Sequence, residues 1–152
     1  MKNDKTDNHE QLFWEEIDRL FPDMIKAIAY LSKKSYLSIT NLRTGITWWS
    51  ERAMDYFGMK ENYTIRGMEK ANRKIHPDDV ATFKRGFKER VDGKNLDTAW
   101  EYRIQDGDSY NRFNAMARVL YDEQKQPFII IIRYDNYGIS DEVDSVLSLI
   151  HI

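Results

Sequence analysis

The chain of 152 residues contains no cysteine. Disulfides, thiolate nucleophiles, zinc–thiolate sites and cysteinyl-flavin adducts are thereby excluded. It also lacks an excess of either charge, with 23 Lys and Arg against 25 Asp and Glu and a formal net charge of -2. A nucleic-acid partner leaves a basic footprint that is missing here. No basic amphipathic stretch suits an anionic membrane surface, and no run approaches ~18 consecutive apolar residues, so no span and no membrane partner are expected. The first ten residues are polar, without the apolar centre of a signal peptide. A cytoplasmic location follows as the expectation. Glycine-rich phosphate cradles, Gly-x-Ser-x-Gly elbows and His-Glu-x-x-His helices are absent as well.

What is present supports one domain with a core and an appended helix. Hydrophobic residues make up 41% and aromatic residues 13%, enough for burial to offset the entropy of ordering. Residues 1–9 are polar and expected to be a disordered tail. Residues 10–33 carry Phe13, Ile17, Leu20, Met24, Ala27 and Leu31 at alternating steps of four and three, the seam of a heptad. Pro22 interrupts the run, which predicts a kink or two short helices with Pro22 opening the second. A helix packed on its own domain is favoured over a dimerising one, because the seam is short and carries a proline. A homodimer through this helix is the alternative.

Residues 35–41 alternate as a strand does, Arg43-Thr44-Gly45 is a turn, and residues 46–49 return as the second strand of a hairpin. Ser50 is a favoured N-cap, Glu51 suits a first helical turn and Gly58 is a C-terminal stop, with Met54 and Phe57 on the buried face. Residues 59–75 are expected to hold one or two short helices. From Pro77 to Val91 the spacing of Val80, Phe83, Phe87 and Val91 predicts an amphipathic helix. Strands are expected at 98–105, 110–121 and 127–136, separated by Asp106-Gly107 and by 122–126. The result is an α+β domain with five antiparallel strands and helices on one face.

Four short signals punctuate this order. In His76-Pro77-Asp78-Asp79, Pro77 fits the first helical position, His76 is held extended before it, and both carboxylates face the positive end of the helix. A metal or acid–base site there would need a third ligand, and His9 and His151 lie at the chain ends; no metal is expected. Glu101 and Arg103 project from one face of a strand, which suggests a cross-strand ion-pair network. Asp106-Gly107-Asp108 lacks the later ligands of a calcium loop and reads as a hairpin turn. Trp49-Ser50 and Gln126-Pro127 mark the other two boundaries. The aromatic residues are expected to be core, a few of them lining a cavity between the sheet and the long helix.

These signals, in this order, resemble the PAS domain family, specifically its fold-3 subtype, over residues 34–137. Trp49-Ser50 followed by Tyr56-Phe57-Gly58 matches the family's end of strand two and its first helix. His76, Pro77, Asp78 and Asp79 match its "His-Pro-Asp-Asp" start. Glu101, Arg103, Asp106 and Gly107 match its "Glu-x-Arg, Asp-Gly" segment, and Gln126-Pro127 its last turn, with Lys125 where glycine is usual. The family's closing Asp-Ile-Thr is met only by Asp135, and the tryptophan often found after the Asp-Gly turn gives way to Arg112-Phe113.

The resemblance implies a sensory or dimerisation module that signals to a neighbouring domain, and no catalytic site. Pocket residues are then expected at Ile39, Trp49, Met54, Phe57, Phe83, Phe87, Trp100, Tyr102, Ile130 and Ile132. The resemblance implies an unidentified small molecule or none. Haem is not expected, since no histidine lies between Pro77 and Val91 and His76 is engaged as a cap.

Residues 138–152 are expected to be a connector helix, beginning at about Ile139. Similar domains precede GGDEF diguanylate cyclase domains, whose opening Asp144-Ser145-Val146 resembles in part, while residues 147–152 resemble a translated sequencing adapter and are expected to be non-native. On this reading a covalently linked output domain followed Val146. The alternatives are a stand-alone protein-interaction adaptor, with no ligand, and a small enzyme or carrier using the sheet cavity.

Overall fold

In the computed structural model, which describes residues 4–139 and the side chains from residue 8 onward, the chain begins with two helices that turn back on each other. Helix α1 (Asp4–Leu20) and helix α2 (Met24–Leu31) are joined through Phe21-Pro22-Asp23, with Asp23 in the left-handed region at φ 65°. Proline ends the first helix, as its missing N–H requires, but it lies in the connection and does not open the second helix. The turn also resets the helical phase. Phe13, Ile17 and Ile25 are fully buried, whereas Met24 is 41% and Leu31 81% exposed, so the single heptad seam is not formed. Helix α1 starts inside the segment expected to be a disordered tail.

Strands β1 (Leu37–Asn41) and β2 (Ile46–Trp49) form the first hairpin. Ser50 then caps α3 (Glu51–Phe57): its Oγ accepts from Ala53 N at 3.3 Å and Leu37 N at 3.0 Å, and donates to Ser35 O at 2.5 Å. Gly58 ends that helix at φ 71°, a conformation that suits glycine. A short strand β3 (Tyr63–Ile65) follows and pairs with β2, where only helices were expected; three residues are too few to display an alternating pattern. Helix α4 (Gly67–Asn72) comes next.

His76 opens a single 3-10 turn (Pro77–Asp79), its Nδ1 accepting from Asp78 N at 3.1 Å. Helix α5 (Val80–Val91) continues from it, and strands β4 (Trp100–Asp106), β5 (Ser109–Tyr121) and β6 (Pro127–Ile139) complete the chain. Strand β6 runs past the expected end at 136, so Ile139 is strand; the remainder of the expected connector and residues 147–152 lie outside the described residues. The sheet has six antiparallel strands, not five, in the order β3-β2-β1-β6-β5-β4. Its inner face packs on α3, α4 and α5. Its outer face, at β1, β2 and the start of β6, packs on α1 and α2. Helices therefore lie on both faces, because the N-terminal extension covers the second one.

The edge of β4 is closed by the segment that leads into α5. Asp79 accepts from Arg103 N at 2.8 Å, Nε at 2.8 Å and Nη2 at 2.9 Å. His76 N donates to Arg103 O at 2.9 Å, and Gln105 N to Lys74 O at 2.7 Å. In the ladder Arg103 stands opposite Arg112 and Glu101 opposite Asn114, and Arg103 also reaches around the edge to the helix. The arginine hydrogen bonds hold the Asp79 carboxyl below its ordinary range.

Two outcomes test this frame. Ile17→Ala should cost about 2–5 kcal/mol in chemical denaturation and Leu31→Ala less than about 0.5; comparable losses would restore the heptad seam. Because the folded pKa of Asp79 is lowered, its contribution is full above the ordinary Asp value and is lost as pH falls through the lowered one. Asp79→Asn should therefore lose about 1–3 kcal/mol near neutrality, and its urea midpoint should converge on the wild type's as the pH drops below the carboxylate range. Parallel curves would show that the clamp carries no charge-dependent stability.

Candidate functional site

The inner face of the sheet and helix α5 enclose an aromatic core built by two periodicities. Along α5, Phe83 is buried, and Phe87 and Val91 pack at its margin. Along β4, Trp100, Tyr102 and Ile104 alternate inward. Across the ladder Trp100 faces the small Ala115, while Tyr102 faces Phe113. The rings meet in two groups, one with Phe83 to Tyr102 at 4.8 Å and Phe83 to Trp100 at 6.0 Å, the other with Phe57 to Tyr134 at 5.5 Å and Trp49 to Phe57 at 5.2 Å between centroids.

Gly86 lets the helix approach this closely. A Cβ there would lie 2.9 Å from both Cδ1 and Nε1 of Trp100. Arg90, one turn later, is 2% exposed, and its guanidinium lies 4.0 Å from the centroid of the Trp100 indole. Its Nη1 donates to Gly86 O at 3.2 Å and its Nη2 to Thr98 O. Burial lowers its pKa from the ordinary arginine value. Burial likewise pushes the Tyr102 phenol well up, and that of Tyr134, whose Oη shares a 3.0 Å hydrogen bond with Ser38 Oγ.

Four polar atoms of this core have no protein hydrogen-bond partner: Trp49 Nε1, Trp100 Nε1, Tyr102 Oη and Arg90 Nε. Such groups are rare in folded proteins and each calls for an explanation. Among the described residues no group of three or more His, Asp or Glu is placed to hold a metal ion.

Of the expected pocket residues, Trp49, Phe57, Phe83, Trp100, Tyr102, Ile130 and Ile132 are buried together here, with Met54 and Phe87 partly buried against them. Ile39 is not. It lies on the outer face with Leu37, against α1 and α2, while Ser38 and Thr40 point inward, Thr40 sharing a 2.8 Å hydrogen bond with Thr47. Strand β1 is buried on both faces, so its apolar positions do not mark the inner one. Sequence reasoning missed Arg90, Phe113 and Tyr134; Arg90 could have been found as a charge on the apolar stripe of α5, three residues after Phe87. The marker residues lie elsewhere. His76, Pro77, Asp78 and Asp79 start the long helix, Arg103 joins Asp79, Gly107 sits in the β4–β5 turn at φ 63°, Glu101 is exposed, and Asp135 lies 3.2 Å from Arg133.

Several grooves open outside the core among the described residues. One of about 530 Å³ is lined by Lys34, Tyr36, Arg52, Arg133 and Asp135. Another, of about 470 Å³ and mostly apolar, lies on the outer face among Met24, Ile28, Met116, Leu120 and Ile131.

Comparison with known proteins places this architecture. The family described as "PAS fold" matches residues 46–132. Among solved structures, a sensory box histidine kinase/response regulator from Burkholderia thailandensis superposes with a TM-score of 0.60 at 16% identity, over 81% of this chain and 90% of that one. The N-terminal domain of a diguanylate cyclase with PAS/PAC sensor from Marinobacter aquaeolei gives 0.55 at 14% identity, over 68% and 95%. A PAS domain from Colwellia psychrerythraea gives 0.51 at 17%, over 76% and 98%. No curated protein matches the chain in sequence.

The packing around Trp100 is testable. Gly86→Ala gains about 1 kcal/mol of helix propensity, but the indole is clamped between Arg90 and Phe83 and cannot retreat freely. Overpacking at about 1–3 kcal/mol should win, for a net loss of about 1 kcal/mol in the unfolding free energy; a raised melting temperature would show that the indole moves at no cost.

Proposed function

The chain belongs to the PAS fold family, and on that premise we propose that it is a sensory module whose core takes up a small molecule and relays its presence to an output domain. One observation carries this reading: Trp49 Nε1, Trp100 Nε1 and Tyr102 Oη are buried in the core without a partner. Each such atom costs about 1–3 kcal/mol while unpaired, and a polar molecule held among them removes that cost. With no cysteine for a flavin adduct and no histidine on α5, neither a cysteinyl-flavin nor haem is assigned; the ligand is a small molecule of another kind. The module itself performs no reaction.

The output assigned is a covalently linked diguanylate cyclase. It is supported by the partial likeness of Asp144-Ser145-Val146 to the opening of such domains and by the fold shared with a sensor domain of a diguanylate cyclase. Pairing of two copies through the N-terminal helices is part of the same reading, supported by Met24, Tyr30 and Leu31, which α2 leaves 41%, 70% and 81% exposed. A cytoplasmic setting is assigned; among the described residues no helix is long and apolar enough to cross a membrane. The second reading is an adaptor without a ligand, which the apolar groove between α2 and strands β5 and β6 favours.

Native mass spectrometry of the purified chain separates the two. The sensor reading expects a bound mass whose occupancy falls in Tyr102→Phe. A bare mass, together with Tyr102→Phe being more stable by about 1 kcal/mol through loss of an unpaired hydroxyl, would favour the adaptor.

A further inference from the structure

The unpaired atoms of the core share one chemistry. Indole Nε1 of Trp49 and Trp100 and guanidinium Nε of Arg90 can only donate, and the Tyr102 hydroxyl is able to. Arg90 also brings a positive charge inside. Its hydrogen bonds go to two backbone carbonyls, and its ion-pair partner Glu89, 3.6 Å from Nη1, is partly exposed, with its side chain 36% accessible. Arg90 Nε, Trp100 Nε1 and the Tyr102 hydroxyl are left without an acceptor inside the core. What the core side of this region lacks is therefore an acceptor, and beside a buried guanidinium a negatively charged one is held most strongly.

Three of the residues that carry these donors are neighbours. Arg90 lies over the Trp100 ring at 4.0 Å, and Trp100 Nε1 is 2.9 Å from the point a Cβ on Gly86 would occupy, one turn before Arg90. Tyr102 stands beside Trp100 on the same strand face, ring centroids 6.0 Å apart, and Phe83 covers both. We propose that the core ligand is a small monocarboxylate with an apolar body, its carboxylate taken by Arg90, Trp100 and Tyr102. This rests on the reading that the core binds a ligand at all. Arg90 already has Glu89 on its solvent side, so its core side has room for one negative charge at most, and a dianion such as phosphate would bring in a second, uncompensated one. The apolar body follows from the surroundings, where Phe83 lies against Trp100 and Tyr102 and Phe87 against Phe83. Since Phe83, Trp100 and Tyr102 already touch, the anion enters by parting α5 from β4, so that occupancy selects a different helix position.

Benzoate and its neutral isostere benzamide provide the test, titrated into the full chain while the indole ¹⁵N–¹H signal of Trp100 is followed, assigned through Trp100→Phe. Benzoate should move that signal and benzamide should not, and Arg90→Gln should weaken benzoate binding roughly tenfold or more. If Arg90→Gln perturbs folding, Tyr102→Phe keeps the shape of the core and should weaken binding severalfold. Equal responses to benzoate and benzamide, or a benzoate response undiminished in both variants, would overturn the carboxylate assignment and leave the core-ligand reading standing. A neutral molecule found bound by native mass spectrometry, with no response to benzoate, would do the same. No response to either probe from a chain of bare mass would overturn both.

Discussion

The contact between Asp79 and Arg103 is the constraint on which the rest of the fold depends. One carboxylate takes a backbone N–H and two guanidinium N–H groups from the same residue, a charge-assisted and geometrically demanding arrangement. It does two things at once. The free edge of β4, which would otherwise present unpaired backbone groups as a template for another chain, is engaged at Arg103 and Gln105 by Lys74, His76 and Asp79. The first turn of α5 is also fixed against the sheet, and that sets the register in which Phe83, Gly86 and Arg90 meet Trp100 and Tyr102. Two sequence signals that seemed to mark separate boundaries are the two halves of one clamp.

The second constraint is on the opposite face. Helices α1 and α2 cover Leu37, Ile39, Ile46, Phe128 and Ile129, and polar contacts at the ends of the hairpins fix where α1 lies. Arg43, in the β1–β2 turn, bonds Glu16 of α1 and Asp122 of the β5–β6 turn, and its guanidinium lies over Phe128 at 4.7 Å. Trp14 Nε1 donates to Tyr63 Oη at 2.8 Å, which holds the same helix to β3. A sheet packed on both sides transmits a shift at one face to the other, because close-packed layers do not deform independently.

How much of this was legible follows from the physics of each signal. Caps and turns are local, so Ser50, Gly58, Pro77 and Gly107 declared themselves in the sequence, and the amphipathic period of α5 did too. Strand β3 did not, because three residues carry no period and its pairing with β2 is a tertiary fact. Ile39 was assigned to the wrong face since alternation marks the inner side only when the outer side meets water. The heptad seam failed at Pro22, where a turn in the chain breaks a periodicity that continues in the letters. Arg90 escaped notice because a charge on an apolar stripe is ordinarily discounted; only its burial over Trp100 turns it into part of the site.

The position of β6 joins the core to the end of the described residues. It lies centrally in the sheet, between β1 and β5, and it contributes Ile130, Ile132 and Tyr134 to the core. Farther along, the same strand runs out to Ile139, past the register irregularity at Asn111 and Phe113. Tyr134 is in ring contact with Phe57 on α3 and shares its hydroxyl hydrogen bond with Ser38 on β1. Tyr102 and Phe83 belong to the same core cluster as these residues of β6, a strand tied to two other elements. A loop in that position would absorb a displacement; a central strand bonded on both edges moves as a unit with its neighbours.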